Sequence, residues 1–151
     1  MSDNVEHIEN ALRSVIETLH DGQKGFAESG KEIQDPSIKT FFLEESRVRA
    51  QFASELQDQL HHLGLKEVDE SGTTAGALHR TWADLKAKLG GGDHTLLVTA
   101  EQGEDEAKEA YQRATDAHLP EDIDDLLRRQ QQHIIQAHNK VMTWRDATNH
   151  D

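Results

Sequence analysis

At 151 residues the chain is long enough for one sizeable core, and 34% apolar against 30% charged residues suits slender helix packing, where each helix shows a narrow stripe inward. Sixteen Lys and Arg against twenty-nine Asp and Glu leave a formal charge of −13, which repels nucleic-acid phosphates and anionic membranes. The chain has no Cys, so disulfides, thiolate chemistry and Cys-based zinc sites are excluded, and no basic leader or membrane-length apolar run is visible; a cytoplasmic protein is expected.

Helix A is expected over residues 5–34, because Ile8, Leu12, Val15, Leu19, Phe26 and Ile33 recur at helical intervals. Asp35-Pro36 supplies an N-cap and a first-turn proline, so helix B, 36–63, follows almost without a loop and folds back on A. Its inward face is read as Ile38, Phe41, Val48, Phe52, Leu56 and Leu63, with His61 and His62 at the negative end of the helix dipole before Gly64.

Residues 64–92 read as a crossover. Turn-rich Glu70-Ser71-Gly72-Thr73-Thr74 leads into a short helix over 75–89 showing Leu78, Trp82, Leu85 and Leu89, then Gly90-Gly91-Gly92. Helix C, 94–118, takes Asp93 as N-cap and turns Leu97, Ala100, Ala107, Tyr111 and Ala114 inward. Leu119-Pro120 turns the chain into helix D, 120–146, with Ile123, Leu127, Ile134, Ala137, Val141 and Trp144 inward. Two antiparallel hairpins joined by so long a crossover predict a single all-α domain, a ferritin-like four-helix bundle in which C runs parallel to B.

The same wheels turn polar groups inward near mid-bundle: Glu45 on B, Glu104 on C, Gln23 at the flank of A's stripe, and Gln130 and His138 on D. Carboxylates and imidazole converging inside a bundle suit iron or manganese, so Glu45, Glu104 and His138 are candidate ligands of a single ion. A dinuclear site is not expected, since it needs Glu-x-x-His on two helices. One such tetrapeptide occurs, Glu17-Thr18-Leu19-His20 on A, and it falls away from A's stripe; on D, Ile135 stands three before His138 and Gln130 three before His133.

The competing reading, and the one favoured, is a structural polar layer. There Glu45 pairs with Arg49 and Glu104 with Lys108, one turn on in each case, while Gln23, Gln130 and His138 complete the hydrogen bonding. His20 falls away from A's stripe and is expected at the surface, and His118 is expected to cap C's last carbonyls. No nucleophile with base and orienting acid can be assembled, and Gly90-Gly91-Gly92-Asp93 lacks the lysine and preceding strand of a phosphate loop.

Ile16-Glu17-Thr18-Leu19 with Asp21-Gly22-Gln23-Lys24-Gly25-Phe26, Ala53-Ser54-Glu55-Leu56-Gln57, Gly76-Ala77-Leu78-His79-Arg80 with Trp82, and Gly103-Glu104-Asp105 with Tyr111 together carry a resemblance. The chain resembles a bacterial ferritin-like family of unknown function, related to the stress-induced ferritin-like proteins of bacteria. That resemblance implies a compact, oligomeric bundle with no established activity. It also implies that glutamates often stand at the positions of Gln23 and Val48, where this chain departs. The reading that results is a non-enzymatic, stress-associated bundle without catalytic residues or cofactor, acting as a homodimer or through a protein partner; the alternative is a metal-binding bundle with a degenerate iron or manganese site.

Overall fold

The computed structural model describes residues 2–66 and 91–148, and these form helices alone: α1 (Ser2–Glu32), α2 (Pro36–His62), α3 (Asp93–Thr115) and α4 (Glu121–Thr148). The expected short helix over 75–89 lies outside the described residues. No described helix is long and apolar enough to cross a membrane.

The helix boundaries follow from local chemistry. Asp35 caps α2 by accepting from the backbone N–H groups of Ser37 and Ile38 at 2.8 and 3.1 Å, with Pro36 beginning the first turn. At the other end Gly64, at φ 78°, donates to the His61 carbonyl while Leu65 donates to that of Leu60, so a residue free to take positive φ closes the helix.

The start of α3 differs from expectation. Asp93 is the first helical residue rather than the cap, and Gly92, at φ 95°, stands before it. The Asp93 carboxylate instead accepts from the backbone N–H groups of Gln34 and Asp35, at 2.7 and 2.9 Å, tying the head of α3 to the α1–α2 turn. At its far end α3 stops at Thr115, short of the expected 118; Asp116 and Ala117 close it, and His118 is exposed at φ 56° rather than capping it from within.

Cross-helix contacts give the directions. Gly30 lies against Phe42 and Leu43, and Ser46 Oγ donates to the Gln23 carbonyl, so α1 and α2 are antiparallel. His7 Nε2 sits 2.7 Å from the Ala117 carbonyl at one end, with Asp93 against Gln34 at the other, so α1 and α3 are antiparallel too. Tyr111 meets Gln130 while His94 meets Thr148, which makes α3 and α4 antiparallel. Phe41 stacks edge-on against Trp144 at 5.1 Å, and Gln130 reaches Phe52, so α4 also runs against α2. The second and third helices therefore point the same way and face each other across the bundle axis.

Among the described residues two apolar cores result. One gathers Leu12, Val15, Ile16, Leu19, Leu56, Leu60, Tyr111 and Leu127 towards the end where α1 begins. The other gathers Phe26, Ile33, Ile38, Phe42, Leu96, Leu97 and Val141. The inward stripe of α2 is rotated from the one expected: Ile38, Phe42, Glu45, Arg49, Ala53, Leu56 and Leu60 are buried, while Phe41, Val48, Phe52 and Leu63 are only half-buried. The rotation centres Arg49 on the core face. His20, expected at the surface, is buried as well, because α1 packs on both α2 and α3 and presents an arc wider than one stripe.

Candidate functional site

Between the two cores lies a charged layer built on Arg49. Its side chain is 1% exposed, a position arginine occupies only when paired. Nε and Nη2 donate to Glu45 Oε1 at 3.2 and 2.9 Å, the i, i+4 partner on the same helix. Nη2 also donates to Glu104 Oε2 at 2.8 Å and lies 2.6 Å from Glu104 Oε1, off the N–H direction. One guanidinium thus serves two carboxylates from two helices. Beneath it the Phe26 ring stacks, with Cζ 5.0 Å from the ring centroid. On the α1 side Gly22 makes room: a Cβ there would lie 3.4 Å from Nη1.

The second Glu45 oxygen, Oε2, is 2.8 Å from Nε2 of His133, whose ring reaches in from a half-exposed position and packs edge-on against Phe52. One turn further along, Tyr111 donates to Gln130 Oε1 at 2.7 Å, and the Gln130 amide donates to Glu55 Oε1 at 2.9 Å and to the Phe52 carbonyl at 3.3 Å. A buried side-chain amide is thereby satisfied on both its atoms.

These contacts move the ionisation equilibria apart. Burial pushes the Glu45 carboxyl up, but the hydrogen bond from His133 and the charge of Arg49 outweigh it and hold the group below its ordinary value. Glu104 goes the other way: burial raises it, and Arg49, shared with Glu45, does not bring it back. Burial works against the Arg49 charge, but Glu104 and Glu45 together raise its value. Burial also raises the Tyr111 hydroxyl, keeping it a neutral donor.

The residues expected near mid-bundle are thus distributed over several contacts. Glu45 and Glu104 meet through Arg49, and the cation for Glu104 is Arg49 rather than Lys108. Gln130 belongs to the Tyr111–Glu55 network, and the Gln23 carbonyl accepts from Ser46. His138 is buried but lies against Asp105, its Nε2 2.8 Å from Oδ1. The histidine at Glu45 is His133, which sequence spacing passes over because no carboxylate precedes it by three residues. Among the described residues, Glu101, Asp105 and His138 form the group whose donor atoms converge closely enough to hold a metal ion.

The family model described as a domain of unknown function, DUF2383, matches residues 7–117. The chain belongs to the DUF2383 family. The matched stretch carries Glu45, Arg49, Glu104 and the α1 and α3 walls around them; in this DUF2383 chain α4, with His133 and His138, lies beyond it. No curated protein matches the chain.

Proposed function

We propose that this chain is a non-enzymatic, ferritin-like bundle in which an arginine does at mid-bundle what an ion does in metal-binding bundles of that class. Supporting the ferritin-like reading is the direction of the helices: α2 and α3 run the same way, the arrangement that two hairpins joined by a long crossover produce. The observation that carries the functional reading is Arg49. Its guanidinium is buried with both Glu45 and Glu104 within hydrogen-bonding distance, so the oxygens an ion would need already face a fixed positive charge. The donor set Glu45, Glu104 and His138 does not fit an ion there, because His138 sits against Asp105 and the two glutamates hold Arg49.

The role that remains for such a bundle is binding, through its own surface, to a second copy or to another protein. The resemblance to stress-induced ferritin-like proteins supports placing that role in bacterial stress physiology. The test pairs two measurements on untagged full-length protein. Fe(II) or Mn(II) is added, the sample is dialysed and metal is counted in wild type, Glu45→Gln and Glu104→Gln; sedimentation then gives the oligomeric state. Metal content independent of both glutamates is expected. Iron or manganese retained by wild type and lost in Glu104→Gln would overturn the non-metal reading, and a strict monomer at high concentration would remove the dimer.

A further inference from the structure

Beside the Arg49 layer, α3 and α4 bring three other donors together. Glu101 and Asp105 stand one turn apart on α3 and so share a face. His138 approaches from α4, and one ligand atom from each of the three lies within 4.8 Å of the others.

The histidine separates this group from an ordinary pair of surface acids. Its side chain is 9% exposed, and Nε2 is 2.8 Å from Asp105 Oδ1, yet that nitrogen has no directed hydrogen bond. A buried imidazole nitrogen without an aligned hydrogen bond carries a desolvation cost that the nearby Asp105 carboxylate meets only through its charge. Two donors this close, without a hydrogen aligned between them, have the spacing of neighbouring ligands on one ion: metal–ligand bonds of about 2.0–2.2 Å bring adjacent ligands to roughly 3 Å. The other ring nitrogen, Nδ1, faces Asn139 Oδ1 at 3.5 Å, and a proton carried on Nδ1 would leave the Nε2 lone pair for a metal.

Glu101 is engaged by Arg145, a partly exposed guanidinium that also pairs with Asp146 at 2.8 Å. Arg145 thus has a second carboxylate to fall back on if Glu101 turns towards His138.

The geometry points to a site for one divalent first-row transition ion, held by Glu101, Asp105 and His138, with Arg145 covering Glu101 when no ion is bound. An imidazole among the donors selects zinc-like ions over magnesium or calcium, and three protein ligands leave further positions to water. The site takes neither Glu45 nor Glu104 as a ligand, so substituting either leaves its three donors in place, although Glu104 lies close enough to feel the His138 charge.

Zn(II) titration calorimetry on the untagged full chain at neutral pH, with Co(II) absorption as the spectroscopic probe, tests it. Wild type is expected to bind one ion per chain at this site. Asp105→Asn and His138→Gln should each weaken it by more than about tenfold, and the His138 variant should lose the ligand-field bands of Co(II). Arg145→Gln should tighten binding by removing the competitor for Glu101. Because the Asp105 side chain is 52% exposed, Asp105→Asn separates loss of a ligand from loss of folding, and helical circular dichroism checks both variants. Zn(II) affinity unchanged in Asp105→Asn, no tight site in wild type, or binding lost instead in Glu104→Gln would each overturn the assignment.

Discussion

Nη2 of Arg49 on α2 donates to Oε2 of Glu104 on α3 at 2.8 Å, joining helices that point the same way across the bundle axis. Removing the cation alone should be severe. Arg49→Met leaves two buried carboxylates without their charge partner, and a loss of about 3–5 kcal/mol is expected. Adding Glu45→Gln and Glu104→Gln to the same chain should restore most of that loss, because a neutral layer of similar volume carries no ionic desolvation. Urea unfolding of the single and triple variants measures both. A triple variant as unstable as Arg49→Met would show that the layer's worth lies in packing rather than charge.

Glu104 and Glu45 should pull the pH dependence of stability in opposite directions. The folded-state value of Glu104 is raised, so its contribution is fully present below the unfolded value and is lost as pH rises through the folded one. The stability gap between Glu104→Gln and wild type should therefore move in the variant's favour from acid towards neutral pH. The value for Glu45 is lowered, so its contribution is present above the unfolded value and lost as pH falls through the folded one. Glu45→Gln should accordingly lose less than wild type on acidification. A Glu104→Gln gap that stays constant from mildly acidic to neutral pH, or a Glu45→Gln gap that stays constant as pH falls well below the ordinary glutamate value, would contradict these assignments.

Asp93 holds the α1–α2 turn by two backbone amides. Asp93→Ala should cost about 1–2 kcal/mol, since charge-assisted hydrogen bonds are worth about 1.5–3 kcal/mol and these are exposed. Amide exchange at Gln34 and Asp35 in the α1–α2 turn, followed by NMR, should quicken more than exchange within α1. Unchanged rates at these two amides would remove the contact from the account.

Gly22 and Gly30 make a matched pair within α1. A methyl at Gly22 would meet Arg49 Nη1 at 3.4 Å, an ordinary contact, whereas at Gly30 it would lie 2.8 Å from Leu43 Cδ2 and 3.3 Å from Phe42 Cβ. Gly22→Ala should raise stability by about 0.5–1 kcal/mol through helix propensity. Gly30→Ala should forfeit that gain to repacking. Thermal melts of the two variants give the comparison, and equal shifts would mean that the α1–α2 spacing at Gly30 relaxes freely.

Much of the architecture is legible because apolar periodicity is local. Ile8, Leu12, Val15 and Leu19 mark α1, and Leu97, Ala100, Ala107 and Tyr111 mark α3, each by spacing alone, and all of them are buried. On α2 the signal misleads by about one residue: the apolar stripe prefers Phe41 and Phe52 and takes in Glu45, while the buried face runs through Phe42 and Arg49 as well. The buried place of Arg49 follows from its two carboxylate partners, one of them on another helix.

Contacts across the axis are a different matter. Whether Glu104 faces Lys108 or Arg49, and whether His133 or His138 reaches Glu45, depends on the axial offset between helices, which no single helix encodes. His133 carries no spacing motif, and its role follows only from where α4 comes to rest against α2.

The charged layer also divides the interior. With Leu12, Leu56 and Leu127 on one side and Phe26, Phe42 and Val141 on the other, the protein amounts to two short bundles stacked end to end on shared backbones. A cavity opened in one is insulated from the other by a plane of polar atoms, so each half is free to be repacked, or to drift in sequence, on its own terms while Arg49 keeps the helices in step.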